Sequence, residues 1–67
     1  MSPRRLGRML RTLRLEQGLT QVELAKRAKL TNVYVSLLEG GKKKNPSVAV
    51  IKRLAKALRV PVTELLG

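Results

Sequence analysis

Four residues of this chain, Asn32, Val33, Ser36 and Leu37, have types and a spacing that suggest a chemistry. At about 100° per residue on a helix they share one face, while Val35 and Leu38 fall on the opposite one and Tyr34 and Glu39 lie at the borders. None of the four is charged: one amide, one hydroxyl and two branched apolar groups. A helix needs no such face for its own stability. The face suits a flat-edged partner rich in hydrogen-bonding groups, and base-pair edges in the major groove of a duplex are of that kind. There Asn32 can donate and accept at an adenine edge, Ser36 can adapt, and Val33 or Leu37 can pack on a thymine methyl.

Covalent chemistry has few residues to work with. The chain has no cysteine, no histidine and no aspartate; its acids are four glutamates, and it has one tyrosine. That set offers neither an acid/base pair of the usual kind nor a metal-ligand group, so the expectation is a non-enzyme without metal or cofactor. Without cysteine there is also no disulfide to support the core.

Fifteen Lys and Arg stand against the four Glu, a net charge of +11 on 67 residues. Surfaces made basic for solubility or heat resistance usually mix both signs, so this imbalance points to a polyanionic partner, nucleic acid first. No apolar run approaches the ~20 residues that cross a bilayer. The opening MSPRRLGRML is basic but lacks the apolar core of an export signal, and a cytoplasmic location is expected. The chain length allows one domain, 1–67, whose core is Leu, Val, Ile, Ala and Met, because Phe and Trp are absent.

The elements that must position the four residues are short helices. Ser2 and Pro3 open the first, which runs to about Gln17 with Gly18 as its stop and buries Leu6, Met9, Leu10 and Leu13. Arg4, Arg5, Arg8 and Arg11 lie elsewhere on it. Thr20 and Glu23 form a capping box ahead of Leu24, Ala25 and Ala28, a narrow stripe that lets a neighbour approach closely. Thr31 caps the next helix, which carries the uncharged strip. Two helices separated by so few residues meet at a tight turn, the pattern of a helix-turn-helix.

GGKKKNPS follows. Gly40 and Gly41 end the third helix, and their backbone N–H groups can approach a phosphate closely beside Lys42, Lys43 and Lys44. Ser47 caps a fourth helix burying Val50, Ile51, Leu54, Ala55 and Leu58, with Lys52, Arg53 and Lys56 on its wet face. Pro61 opens a short fifth helix. Its Val62, Leu65 and Leu66 either close the core or meet another copy of the chain, and both uses can hold at once.

The stretch LTQVELAKRAKLTNVYVSLLEGGK, with NPSVAVIKRLAKALRVPVTELL after it, resembles the Cro/CI-like (XRE-type) helix-turn-helix regulators of phages and prokaryotes. The resemblance spans residues 6–66. It implies a compact five-helix, all-α, lambda-repressor-like domain whose third helix enters the major groove, with Gln21 on a phosphate as the second helix begins. It also implies a partly buried pair between Arg14 and Glu39. Lys29 and Arg59 stand where the family usually has glycine, at positions that call for left-handed backbone.

Together these readings predict double-stranded DNA as the partner. Asn32, Val33, Ser36 and Leu37 would read bases, while Gln21, Thr31, Tyr34, Gly40, Gly41 and the three lysines would hold phosphates. A homodimer would match a palindrome, and repression is the expected outcome. Two rivals remain: an antitoxin- or controller-like module acting through a protein partner, and a polyanion binder indifferent to sequence.

Overall fold

The computed structural model describes residues 2–66, which form α1 (Pro3–Glu16), α2 (Gln21–Ala28), α3 (Asn32–Glu39), α4 (Val48–Leu58) and α5 (Val62–Leu66). Each of the first four starts on a hydroxyl cap. Ser2, Thr20, Thr31 and Ser47 accept from the backbone N–H of Arg5, Glu23, Tyr34 and Val50 at 3.0–3.1 Å. At Thr20 the box closes, because the Glu23 carboxylate accepts from the Thr20 N–H at 2.8 Å.

The helices pack in a closed ring: α1 on α3, α3 on α2, α2 on α4, α4 on α5, and α5 back on α1. Inside it lie Leu6, Leu10, Leu24, Val35, Leu38, Leu54 and Leu58, all fully buried. Met9, Leu13 and Val50, expected in the core, are only partly covered, while Leu19 and Ala57 join it. Gly7 marks where α1 crosses the end of α3. A Cβ there would sit 2.2 Å from the Leu38 carbonyl oxygen and 2.7 Å from that of Glu39, so only glycine permits the approach.

Helices α1 to α4 all end in the same way. A residue one place after the helix in α2 and α4, and two places after it in α1 and α3, takes a left-handed backbone, with φ of 69° at Gly18, 57° at Lys29, 70° at Gly41 and 56° at Arg59. In each case two turn amides close back on the last carbonyls. Leu19 and Gly18 donate to Arg14 and Leu15, Leu30 and Lys29 to Ala25 and Lys26, Lys42 and Gly41 to Leu37 and Leu38, and Val60 and Arg59 to Ala55 and Lys56. Lys29 and Arg59 therefore adopt the backbone expected for glycine, at roughly 1–2 kcal/mol each.

Two expectations need correction. Arg53 is not a bystander on a wet face: its Nε donates to the Ala28 carbonyl at 2.9 Å and its Nη2 to that of Lys29. A long guanidinium side chain on α4 can reach the partly negative end of α2 and satisfy carbonyls left over by the helix. Leu65, offered as a dimer contact, is 2% exposed and belongs to the core, whereas Leu66 beside it is 44% exposed. Sequence gave no sign that Gln17 would donate its side-chain amide to the Leu58 carbonyl, joining the ends of α1 and α4.

Candidate nucleic-acid interface

On α3 the buried positions Val35 and Leu38 fix which side faces out. Asn32, Val33, Ser36 and Leu37 are exposed, Val33 at 64% and Leu37 at 40%. From Asn32 to Leu37 the strip advances ~7.5 Å along the helix axis, about two base-pair steps. A helix with its side chains, about 10–12 Å across, also matches the ≈ 12 Å width of a major groove. The arrangement can present an amide, a hydroxyl and two apolar groups to base edges without bringing charge into the groove.

Behind the strip, α3 is held by charge. Arg14 Nε donates to Glu39 Oε2 at 2.6 Å, Nη2 donates to Oε1 at 2.9 Å, and Nη1 donates to the Leu19 carbonyl at 2.8 Å. The two side chains are only 8% and 3% exposed. Hydrogen bonding to Glu39 raises the Arg14 pKa above its ordinary value, against the opposing effect of burial. One guanidinium thus joins α1, the α1–α2 turn and the end of α3.

Gln21 enters the same network. Its Nε2 donates to Glu39 Oε1 at 3.1 Å, a bond the sequence did not reveal, and half-burial keeps the side chain in place. A primary amide has two N–H groups, so one remains for an acceptor outside the protein. Glu39 therefore orients the first residue of α2 as well as anchoring α3.

The loop after α3 departs from expectation. The Gly40 N–H donates to the Ser36 carbonyl at 3.0 Å and that of Gly41 to Leu38 at 3.1 Å. Both amides close the end of α3 and cannot also serve as phosphate donors. Gly41 is glycine for its positive φ and because a Cβ would lie 3.2 Å from the Arg4 Cα. The lysines that follow are exposed, and Lys43 sets its ammonium 5.5 Å from the centre of the Tyr34 ring. That cation–π contact ties the basic loop to α3. Tyr34 is half-buried, and Thr31 is exposed at the N-terminus of the same helix.

Two of the four acids are absorbed locally, Glu39 by Arg14 and Glu23 by its capping box. The outer field is therefore strongly positive around an uncharged reading strip. No helix among the described residues is long and apolar enough to cross a membrane.

Comparison with known proteins agrees with this geometry. Residues 10–65 match the family described as Helix-turn-helix. The HTH-type transcriptional repressor RghR of Bacillus subtilis is 40% identical over 60 residues, which cover 90% of this chain and 44% of RghR. The chain spans about half the length, or less, of such curated relatives. Among solved structures, the restriction-modification controller protein C.AhdI from Aeromonas hydrophila superposes with a TM-score of 0.90 at 38% identity, covering 94% of each chain. SinR, the master regulator for biofilm formation, in complex with DNA, gives 0.88 at 31% identity, covering 92% of this chain and 98% of that one. An arrangement reached from caps, core and charge thus coincides with a known lineage, and this chain belongs to the Cro/CI-like, XRE-type helix-turn-helix family of DNA-binding transcriptional regulators.

Proposed function

We propose that the protein binds a specific double-stranded site through α3 and represses transcription there, as a two-fold dimer on a palindrome. The observation that carries this reading is the exposed, uncharged strip of Asn32, Val33, Ser36 and Leu37 on a helix fixed from behind by the Arg14–Glu39 pair. Asn32 and Ser36 supply hydrogen bonds to base edges, and Val33 and Leu37 favour thymine methyls, so A·T-containing half-sites are preferred. Gln21, Thr31, Tyr34, Lys42, Lys43 and Lys44 surround the strip and set register on phosphates. RghR, by its name a repressor, and SinR, crystallised with DNA, lend support.

One α3 covers only a few base pairs, and a dimer that repeats it after one turn, about 34 Å, doubles the sequence read. Exposed Leu66 and half-buried Val62 on α5 are the apolar groups proposed for that contact. The reading places the protein beside the duplex in the cytoplasm of a prokaryote or infected host. Selecting bound duplexes from a random pool tests it: the expected product is an inverted repeat with half-sites one turn apart. A pool that never enriches would leave the protein as a binder indifferent to sequence.

A further inference from the structure

A cleft of about 500 Å³ lies between the C-terminal ends of α2 and α4. Arg27, Lys29, Arg53, Lys56 and Arg59 line it over a floor of Ala28 and Ala57, and neither an acid nor any residue of α3 or of the lysine loop takes part. All five cations are exposed. Two helix C-termini carry about −0.5 charge each, so together they offset only about one of the five positive charges.

Two features set this cluster apart from ordinary compensation of helix ends. The first is where the chain keeps strained residues. Of the four left-handed helix ends, Gly18 and Gly41 lie outside the cleft and are glycine, whereas Lys29 and Arg59 lie inside it and are cations. Gly41 is held to glycine by the close approach of Arg4, but a side chain at Gly18 would meet nothing within 4 Å, so a general need for positive charge at helix ends would have placed a cation there as well. The second is Arg53, whose Nε and Nη2 bonds to Ala28 and Lys29 fix the guanidinium plane at the cleft wall. Those bonds leave its Nη1 amino group and second Nη2 hydrogen to act as a preset fork for an oxyanion.

We propose that this cleft binds a small polyphosphate, a di- or triphosphate chain that is either free or carried by a nucleotide. Its volume falls in the range of small-ligand sites, about 300–1,000 Å³. The alanine floor admits close approach, and closely set cations with a fixed guanidinium suit successive phosphoryl groups better than the isolated carboxylates of an acidic peptide.

The test uses Lys29→Gly/Arg59→Gly, which removes two cations while relieving backbone strain, so the variant folds at least as well as the parent. Titration calorimetry of the full chain with inorganic tripolyphosphate should show one saturable site, weakened about tenfold or more in this variant, as expected for loss of a charge-assisted contact. Lys42→Ala/Lys43→Ala/Lys44→Ala, which removes three charges elsewhere, should stay within about twofold of the parent. Tighter binding of ATP than of tripolyphosphate assigns a nucleotide-borne chain; equal or weaker binding assigns a free one. The proposal is overturned if the parent shows no saturation, or if the loop variant loses as much affinity as the cleft variant. It is equally overturned if the cleft variant weakens duplex binding while tripolyphosphate never saturates the parent, because the cleft would then belong to the DNA footprint.

Discussion

Arg14 grips both carboxylate oxygens of Glu39, at 2.6 and 2.9 Å, from a site where neither side chain is more than 8% exposed. An exposed pair contributes ~0–1 kcal/mol, but removing one partner of a buried pair costs about 3–5 kcal/mol, because the remaining charge is desolvated and unpaired. For a domain whose whole stability is about 3–10 kcal/mol, the second figure is decisive. Arg14→Met should therefore lose more stability in urea than Arg14→Met/Glu39→Leu, in which no orphan charge remains. A double variant less stable than the single one would show that Glu39 without Arg14 is not an orphan charge and still stabilises the fold through Gln21. Because Glu39 also holds Gln21 at 3.1 Å, the double variant should bind duplex DNA more weakly even where it is folded.

Gly7→Ala sets helix propensity against packing. Alanine inside a helix is favoured over glycine by about 1 kcal/mol, so on an open surface the change would stabilise. Here the new methyl would meet the Leu38 carbonyl oxygen at 2.2 Å, and that atom belongs to a backbone that cannot swing aside. Overpacking should win, with a loss of about 1–3 kcal/mol or more. A rise in melting temperature would mean that α1 and α3 can separate at low cost.

Glu23 gives a pH dependence. Its hydrogen bonds with the Thr20 backbone and hydroxyl hold its pKa below the ordinary 4.5. A carboxylate with a depressed folded pKa adds stability above its unfolded pKa and loses it as pH falls through the folded one. Stability should therefore decline below about pH 4.5, and Glu23→Gln, which keeps the cap but cannot titrate, should show a shallower acid slope. Parallel acid slopes for the two proteins would remove Glu23 from the account.

Much of the fold was legible because its signals are local. Thr20, Thr31 and Ser47 each sit just before an apolar-periodic run, and a cap followed by such a run specifies a helix whatever surrounds it. The stripes led by Leu24 and Val35 told inside from outside on α2 and α3, and so exposed the strip on α3. What stayed hidden depends on long-range geometry. Arg53 looks like any surface cation until α4 crosses the end of α2, and Gln21 cannot be linked to Glu39 before both helices are placed. Gly40 and Gly41 misled for a different reason. A pair of glycines after a helix can bind an anion or close the helix on itself, and the hydrogen bonds at Ser36 and Leu38 show the second use.

Loop charge and strip should leave different marks on binding. Lys42→Ala/Lys43→Ala/Lys44→Ala should weaken all duplexes alike and lower the slope of log affinity against log salt by up to about 0.9 per lost contact. Lys43 also rests on the Tyr34 ring at 5.5 Å, so its single substitution should loosen the loop, at about 0.5–1 kcal/mol. An unchanged salt slope would take the loop out of the footprint.

Asn32→Ala separates reading from charge most sharply. The residue is exposed at the first position of α3, and no hydrogen bond or core contact of the fold depends on its side chain. Its replacement should leave stability within about 0.5 kcal/mol of the parent. On the preferred site, loss of an amide that both donates and accepts at one base edge should cost about 1–3 kcal/mol, whereas a scrambled duplex, held by phosphates alone, should bind almost as before. The salt slope should not move, because no charge has been removed. Equal losses on both duplexes would mean that Asn32 contacts the backbone, and no loss on either would mean that α3 does not lie in the groove as its exposed face implies.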